Sequence, residues 1–475
     1  MFTFGWTENS AGSYATGRLF PAILMVCTAT FVQLANAQES QKGDVVPSLP
    51  DYIVEAFGHP PDVPNGVLDP EITDALDKVF GEALSERTWG EEQQSAFRTL
   101  AESEDPRLAW LISDMMRIAA SPTLNAILSD AASKLLNIGF EDSNYWGQTV
   151  DHLIAWDIPA PPNYLKYKRN VYTIIVPEWD RLFVEGDIDW RHVSWGGVRI
   201  DDRAFDTTDE PCNCIPAADN PGVTSADNAH WLKDDDIVFG VAVNGEYRAY
   251  PRRIMEVREM VNDTLGGRSL GIPYCTLCGA AQAYFTDDVP EGVERPVLRT
   301  SGLLIRSNKV MYDLNTYSVF DTFRGHAVTG PLHEKGVKLQ QASVVTTEWG
   351  AWKAAHPKTT VLRESLALGR DFDFRNGRDA NGPIFPVGNV DPRLSVHDDI
   401  VGVISPSGTP LAFQLEQALL ALDDGQQIKF AGVQLVRDGN GVRAVDDEGR
   451  DLGSHQAFWF AWSQFHPDTQ LWPMD

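Results

Sequence analysis

Two thiols separated by two residues, Cys275-Thr276-Leu277-Cys278, run straight into Gly279-Ala280-Ala281. Across so short a turn both sulfurs can face one point, which suits a redox dithiol or two ligands of one soft metal ion. The small residues that follow let a partner approach the backbone closely. A second pair, Cys212-Asn213-Cys214, could supply the two further ligands that zinc wants, whereas copper(I) accepts fewer, with methionine as a soft alternative. A structural outcome also stands: of the five cysteines Cys27 falls in the expected leader, and the four left in an exported chain read first as two disulfides, with three connectivities allowed. Closing a loop as small as either pair removes little unfolded-state entropy and strains the bond, so bridges from 212/214 to 275/278 would make the better staple.

Further soft and polar groups crowd the segment from Leu298 to Leu332. Its pattern predicts strand, turn, strand, with Asp313-Leu314-Asn315-Thr316 as the turn. Met311 and His326 are candidate additional metal ligands, and His333 is another candidate ligand or base. Arg306, Asn308 and Arg324 are candidate binding residues, the arginines to hold an anionic substrate or to lower thiol pKa values. Copper and zinc are the cofactors this set would take. His356 and His466 recur in a repeated frame whose second copy has no cysteine, which makes them structural histidines.

The elements that must position these residues fall into distinct stretches. Arg18, the apolar run Leu19 to Val32 and Ala35-Asn36-Ala37 have the order of a signal peptide, cleaved after Ala37. The run is short for a membrane span and is interrupted by Pro21, Thr28 and Thr30. The chain is therefore expected to be exported, to a periplasm or the medium, and not to be an integral membrane protein once processed. Residues 38–65 read as an extended linker stopped by His59-Pro60-Pro61. Residues 66–165 read as a helical domain, four amphipathic helices between Pro70 and Leu136 having apolar residues at spacings of three and four; it offers a surface for a protein partner. From 190 to 475 the texture is β-rich, with β-branched runs at Tyr172 to Val176 just before it and at Ile237 to Val243, the latter ending in the hairpin signal Asn244-Gly245.

Internal similarity divides this last region. Trp349, Trp352, His356, Pro357 and Thr359 recur 110 positions later as Trp459, Trp462, His466, Pro467 and Thr469. Asp235-Asp236-Ile237-Val238 recurs as Asp398-Asp399-Ile400-Val401, displaced by 163. A duplication follows, with a first copy at 234–362 and a shortened second copy at 397–472. The fold class is α+β: a helical N-terminal domain, then a β-rich domain with internal duplication.

Composition narrows the function. Thirty-nine Lys and Arg against 67 Asp and Glu give a net charge of −28 over 475 residues, and such a surface repels phosphate backbones, excluding nucleic acid as partner. Against that background Arg299, Arg306, Lys309 and Arg324 form a local basic concentration.

The strings Tyr247-Arg248-Ala249-Tyr250-Pro251, Arg258-Glu259-Met260-Val261-Asn262-Asp263, Pro273-Tyr274-Cys275-Thr276-Leu277-Cys278-Gly279 and Ser307-Asn308-Lys309-Val310-Met311-Tyr312-Asp313 resemble the DUF3179 family over roughly residues 190–475. The repeated Trp-x-x-Trp-x-x-x-His-Pro frame belongs to the same pattern. The resemblance implies an exported domain without established activity, and selenocysteine at the cysteine motif in some relatives implies reactive sulfur. Many relatives carry His-Glu where this chain has Arg258-Glu259, so no histidine role carries over to position 258. The reading is an exported protein with a Cys-x-x-Cys site for soft-metal binding or thiol redox chemistry, a thiol- or metal-dependent oxidoreductase in its enzymatic form. The rival is a non-catalytic interaction scaffold held by structural disulfides.

Overall fold

The structure, a computed structural model, describes residues 49–207, 212–364 and 382–473. The expected leader at 1–37 lies outside the described residues. Proline and serine set the helix starts in the N-terminal region: Pro70–Leu76 and Pro122–Leu136 each begin on proline, and Ser121 caps the second by accepting from the Leu124 amide at 3.3 Å. Between them lie Glu91–Ala101 and Ala109–Ile118, followed after Leu136 by Tyr145–Ala155 and Tyr164–Thr173. In Ala109–Ile118 every residue from Ala109 to Met116 is buried, so this helix is surrounded by protein on all sides and forms the axis of the region. It carries one charge inward, Asp114, which pairs with buried Lys168 at 2.6 Å and accepts from Tyr164 at 2.8 Å.

Two local expectations change. The stretch 38–65 is not wholly extended, because its described part contains the helix Asp51–Phe57, which buries Ile53 before Gly58 and the two prolines stop it. Tyr172 to Val176 is not a strand either. Tyr164, Tyr167, Val171 and Tyr172 bury at helical spacing, and that packing overrides the β-branched run, whose Ile174 and Ile175 fall in the turn that closes the helix.

Five sheets follow. The first runs Val193–Trp195, Leu298–Ile305, Asn308–Asp313, Val319–Asp321, His326–Ala327, every neighbour antiparallel. Its Leu303, Val310, Tyr312 and Val319 share one continuous core with Leu111, Tyr172 and Trp179 of the helical region. The second sheet holds Met260–Leu265 against Arg268–Cys275 in an antiparallel hairpin. The expected turn at 313–316 is present, but the strand pair is split earlier, at Arg306-Ser307, where Ile305 pairs with Asn308. Neither Gly nor Asn marks that turn, which is why the sequence pattern passes over it.

The third and fourth sheets are built alike. One has the order Val344–Glu348, Ile237–Val243, Glu246–Pro251, Thr360–Leu362; the other His455–Phe458, Asp399–Ile404, Pro410–Gln414, Gln470–Trp472. In both, the third and fourth strands are parallel, Arg248 opposite Thr360 and Leu411 opposite Gln470. Trp352 Nε1 donates to Thr359 Oγ1 at 3.0 Å, and Trp462 Nε1 to Thr469 Oγ1 at 2.9 Å. Gly240 and Gly402 lie under these two tryptophan rings, where any Cβ would collide. That pairing of glycines puts the strands 162 positions apart, one fewer than the Asp-Asp-Ile-Val match, because the second strand lacks one residue of Val-Phe-Gly-Val. Among the described residues no helix is long and apolar enough to cross a membrane.

Candidate functional site

Cys275 ends the strand Arg268–Cys275, and Thr276–Cys278 make a single 3-10 turn that Gly279 closes at φ +61°. The Phe458 ring lies 3.1 Å from where a Gly279 Cβ would stand, so glycine is required here twice over, for the left-handed backbone and for the ring. The turn brings the two sulfurs to 2.9 Å, both unbridged, with Cys275 2% and Cys278 0% exposed. Their wall comes from the second copy: Phe458, Trp459 and Phe460 share the cluster that holds the cysteines, together with Phe323 and Val387. The second copy thus does more than complete the fold, since it seals the thiols.

Polar groups reach the sulfurs from one side. The hairpin turn Arg306-Ser307 places the Ser307 carbonyl 3.5 Å from Cys278 Sγ and 3.9 Å from Cys275 Sγ, and Asn308 Oδ1 stands 3.3 Å from Cys278 Sγ. Both turn residues have left-handed backbones, φ +45° for Arg306 and +66° for Ser307, a conformation that costs non-glycine residues about 1–2 kcal/mol each. On the next shell Glu259, at the left-handed end of the helix Arg252–Arg258, receives Lys309 Nζ on its carboxylate at 2.6 Å and on its carbonyl at 2.8 Å. Its other carboxylate oxygen accepts from Thr276, inside the Cys-x-x-Cys turn, at 3.0 Å.

This environment separates the two thiols. Burial pushes the Cys275 thiol up and Glu259 adds to that, but the hydrogen bond from Cys278, with help from Lys309, outweighs both and leaves its pKa lowered. Burial pushes Cys278 well above the ordinary thiol value, and the neighbouring Cys275 sulfur raises it further. Of the two, the environment of Cys275 favours the thiolate and that of Cys278 the protonated thiol.

The two cysteine pairs do not bridge to each other. Cys212 and Cys214 are joined in a disulfide despite the short loop. Asp201 stands with them, the three ligand atoms lying within 4.8 Å of one another, a possible metal-binding group. The two sulfurs must be reduced before they could act as ligands, and Asp201 already receives Arg203 Nε at 2.6 Å and the Ala217 amide at 2.7 Å. The structure places Met311 in another cluster, with Met260, Tyr284, Leu298 and Phe320. His326 is half-buried on its short strand, bridged to Lys338, and burial with the Lys338 and Arg324 charges lowers its pKa. Among the described residues no His or carboxylate joins Cys275 and Cys278 in a close group of three ligand atoms.

Arg306 and Arg324 do come together, in a cavity of about 270 Å³ on the far side of the Arg306-Ser307 turn. Asp189, His192, Asp321 and Gln464 line it too. Glu259, Lys309, Thr276 and Ser307 are the site residues that the spacing of cysteines could not indicate. Glu259 and Ser307 each lie in one of the strings that carry the resemblance to the DUF3179 family, which was the available signal.

Residues 212–431 match the family model described as Protein of unknown function (DUF3179). The likeness to that family is confined to this segment. The match takes in both cysteine pairs, the Arg306-Ser307 turn and Glu259, and stops before Phe458 and the second Trp-x-x-Trp frame. No curated protein and no solved structure matches the chain.

Proposed function

We propose that the DUF3179-like segment of this protein carries a redox-active dithiol, Cys275 and Cys278, that exchanges with disulfides, and that residues 1–37 export it to an oxidising compartment. The separation of the sulfurs carries this reading. Two thiolates on one tetrahedral ion at about 2.3 Å would stand about 3.8 Å apart. The 2.9 Å found here is too close for that and leaves less than about 1 Å to a disulfide bond of about 2.05 Å. The split in thiol acidity supports the same reading, because exchange needs one thiolate to attack and one proton donor beside it.

In the reaction Cys275 thiolate attacks one sulfur of the disulfide, whose S–S bond breaks and releases one thiolate. Cys278 then attacks Cys275 Sγ of the mixed disulfide and expels the second. The protein gains one S–S bond, and the two thiol protons pass to the two released thiolates. Lys309 is held by Glu259 within reach of the Cys275 field, and Thr276 ties that pair to the turn.

The test uses reduced mature chain carrying Cys212→Ser and Cys214→Ser, so that only Cys275 and Cys278 are free, and 2-hydroxyethyl disulfide. Two protein thiols are expected to disappear as two equivalents of 2-mercaptoethanol form. Cys278→Ser is expected to trap Cys275 as a mixed disulfide visible by intact mass, and Cys275→Ser to trap nothing. Stoichiometric copper or zinc in the purified protein, lost in Cys278→Ser, with no thiol exchange, would replace this reading by metal ligation.

A further inference from the structure

The Arg306-Ser307 turn has two sides. Its Ser307 carbonyl touches both sulfurs, while the Arg306 side chain lines the 270 Å³ cavity. Buried atoms without hydrogen-bond partners gather here: Arg306 Nε, a donor, and Gln464 Oε1, an acceptor, both line the same cavity. A buried polar atom left without a partner costs about 1–3 kcal/mol, so two of opposite type in one cavity mark a place built for a ligand that supplies both partners. The rest of each side chain is committed. Gln464 Nε2 donates to the Arg306 carbonyl at 3.0 Å, and Arg306 Nη2 lies 3.5 Å from His192 Nε2.

The charges at the cavity have the same two-sided character. Arg306 and Arg324 offer cations, Asp321 is a half-buried carboxylate whose Oδ1 already accepts from the Phe323 and Arg324 amides, and exposed Asp187 stands at the rim. Asp189 is already engaged by Arg191 at 2.6 Å. Val310, Phe320 and Val328 supply an apolar wall. The volume lies just under the ~300–1,000 Å³ range of drug-sized sites, which excludes a dinucleotide and suits a molecule of amino-acid size.

We infer that this cavity binds a zwitterionic amino acid, its carboxylate received by Arg306 and Arg324 and its ammonium directed at Gln464 Oε1 and Asp321. The site stands apart from the dithiol, since neither cysteine lines the cavity.

Binding is tested with S-methyl-L-cysteine, a zwitterion that cannot exchange, by titration calorimetry on the mature chain. Saturable binding is expected, lost with N-acetyl-S-methyl-L-cysteine amide, which has neither charge. Arg306→Met is expected to weaken binding at least tenfold, with Arg306→Lys recovering part of it. The ligand-side comparison needs no variant, so a misfolded Arg306→Met cannot hide the answer. Equal binding of the charged and neutral probes, or no binding of either, overturns the inference.

Discussion

Replacing Ser307 by glycine should make the protein more stable, contrary to the usual effect of a glycine substitution. Ser307 holds φ +66° in a two-residue hairpin turn, where an L side chain costs about 1–2 kcal/mol. Its hydroxyl is buried without a partner, at a cost of about 1–3 kcal/mol. Against these gains stand the extra unfolded-state entropy of glycine, about 0.5–1 kcal/mol, and the packing of one lost carbon, about 0.8 kcal/mol. The net expectation for Ser307→Gly is a gain of about 2 kcal/mol. Ser307→Ala removes the hydroxyl but keeps the strained backbone, and because relief of strain in the glycine variant is offset by its entropy and lost carbon, it should gain a similar amount, about 2 kcal/mol. Urea unfolding followed by tryptophan fluorescence measures both, as shifts in midpoint at unchanged slope. If Ser307→Ala exceeds Ser307→Gly by more than about 1 kcal/mol, the turn is not strained; if both variants are less stable than the parent, the hydroxyl has a partner and the reasoning fails. A strained turn that touches the sulfurs on one side and a cavity on the other is the kind of feature retained for function rather than stability. Selection for stability alone would have placed Asn-Gly there, as it stands at 244–245.

Three further outcomes follow from the same geometry. Lys168→Met leaves the Asp114 carboxylate buried without its cation and should cost about 3–5 kcal/mol in urea unfolding; a loss below about 1 kcal/mol would mean the pair is hydrated. Phe458→Ala unroofs the Cys-x-x-Cys turn, so iodoacetamide should label the native reduced protein at least tenfold faster than the parent, and an unchanged rate would show that the thiols are reached by another route. Burial lowers the pKa of His455 to about 3, against about 6.5 in the unfolded chain, so between those values the unfolded state binds the extra proton. Stability from this neutral histidine is present above pH 6.5 and lost as pH falls, at about 1.4 kcal/mol per unit. The stability gap between the parent and His455→Gln should therefore narrow by about 2 kcal/mol from pH 7 to pH 5, and a constant gap would show that His455 can charge in place.

What the sequence made legible was what local chemistry decides. The Asn244-Gly245 hairpin, the helices from Pro70 to Leu136 and the turn at Cys275–Gly279 depend on residues a few positions apart, and their signals survive into the structure. The repeat at 110 positions was legible because the tryptophan, glycine and threonine of each copy lock one another in place. Long-range choices were not legible. Tyr172 to Val176 looked like a strand because β-branching is a local preference, and burial of four residues on one helical face decided otherwise. The Cys212–Cys214 bridge was disfavoured by loop-closure entropy alone, which takes no account of what holds the loop, where Arg199 and Cys214 form a β-bridge and the Arg199 amide bonds to the Asn213 carbonyl at 3.0 Å. Most telling is Glu259, sixteen residues before Cys275. A carboxylate beside a thiol should suppress ionisation, and no spacing rule would place one in a thiol site. It is tolerable here because Lys309 neutralises it at 2.6 Å and Thr276 occupies its second oxygen, while the hydrogen bond with Cys278 does most to lower the Cys275 pKa, helped by Lys309. That arrangement needs a helix end, a hairpin strand and the Cys-x-x-Cys turn to meet at one point. Only the packed sheets bring them together, which is why the cysteines could be read from the chain and the groups that tune them could not.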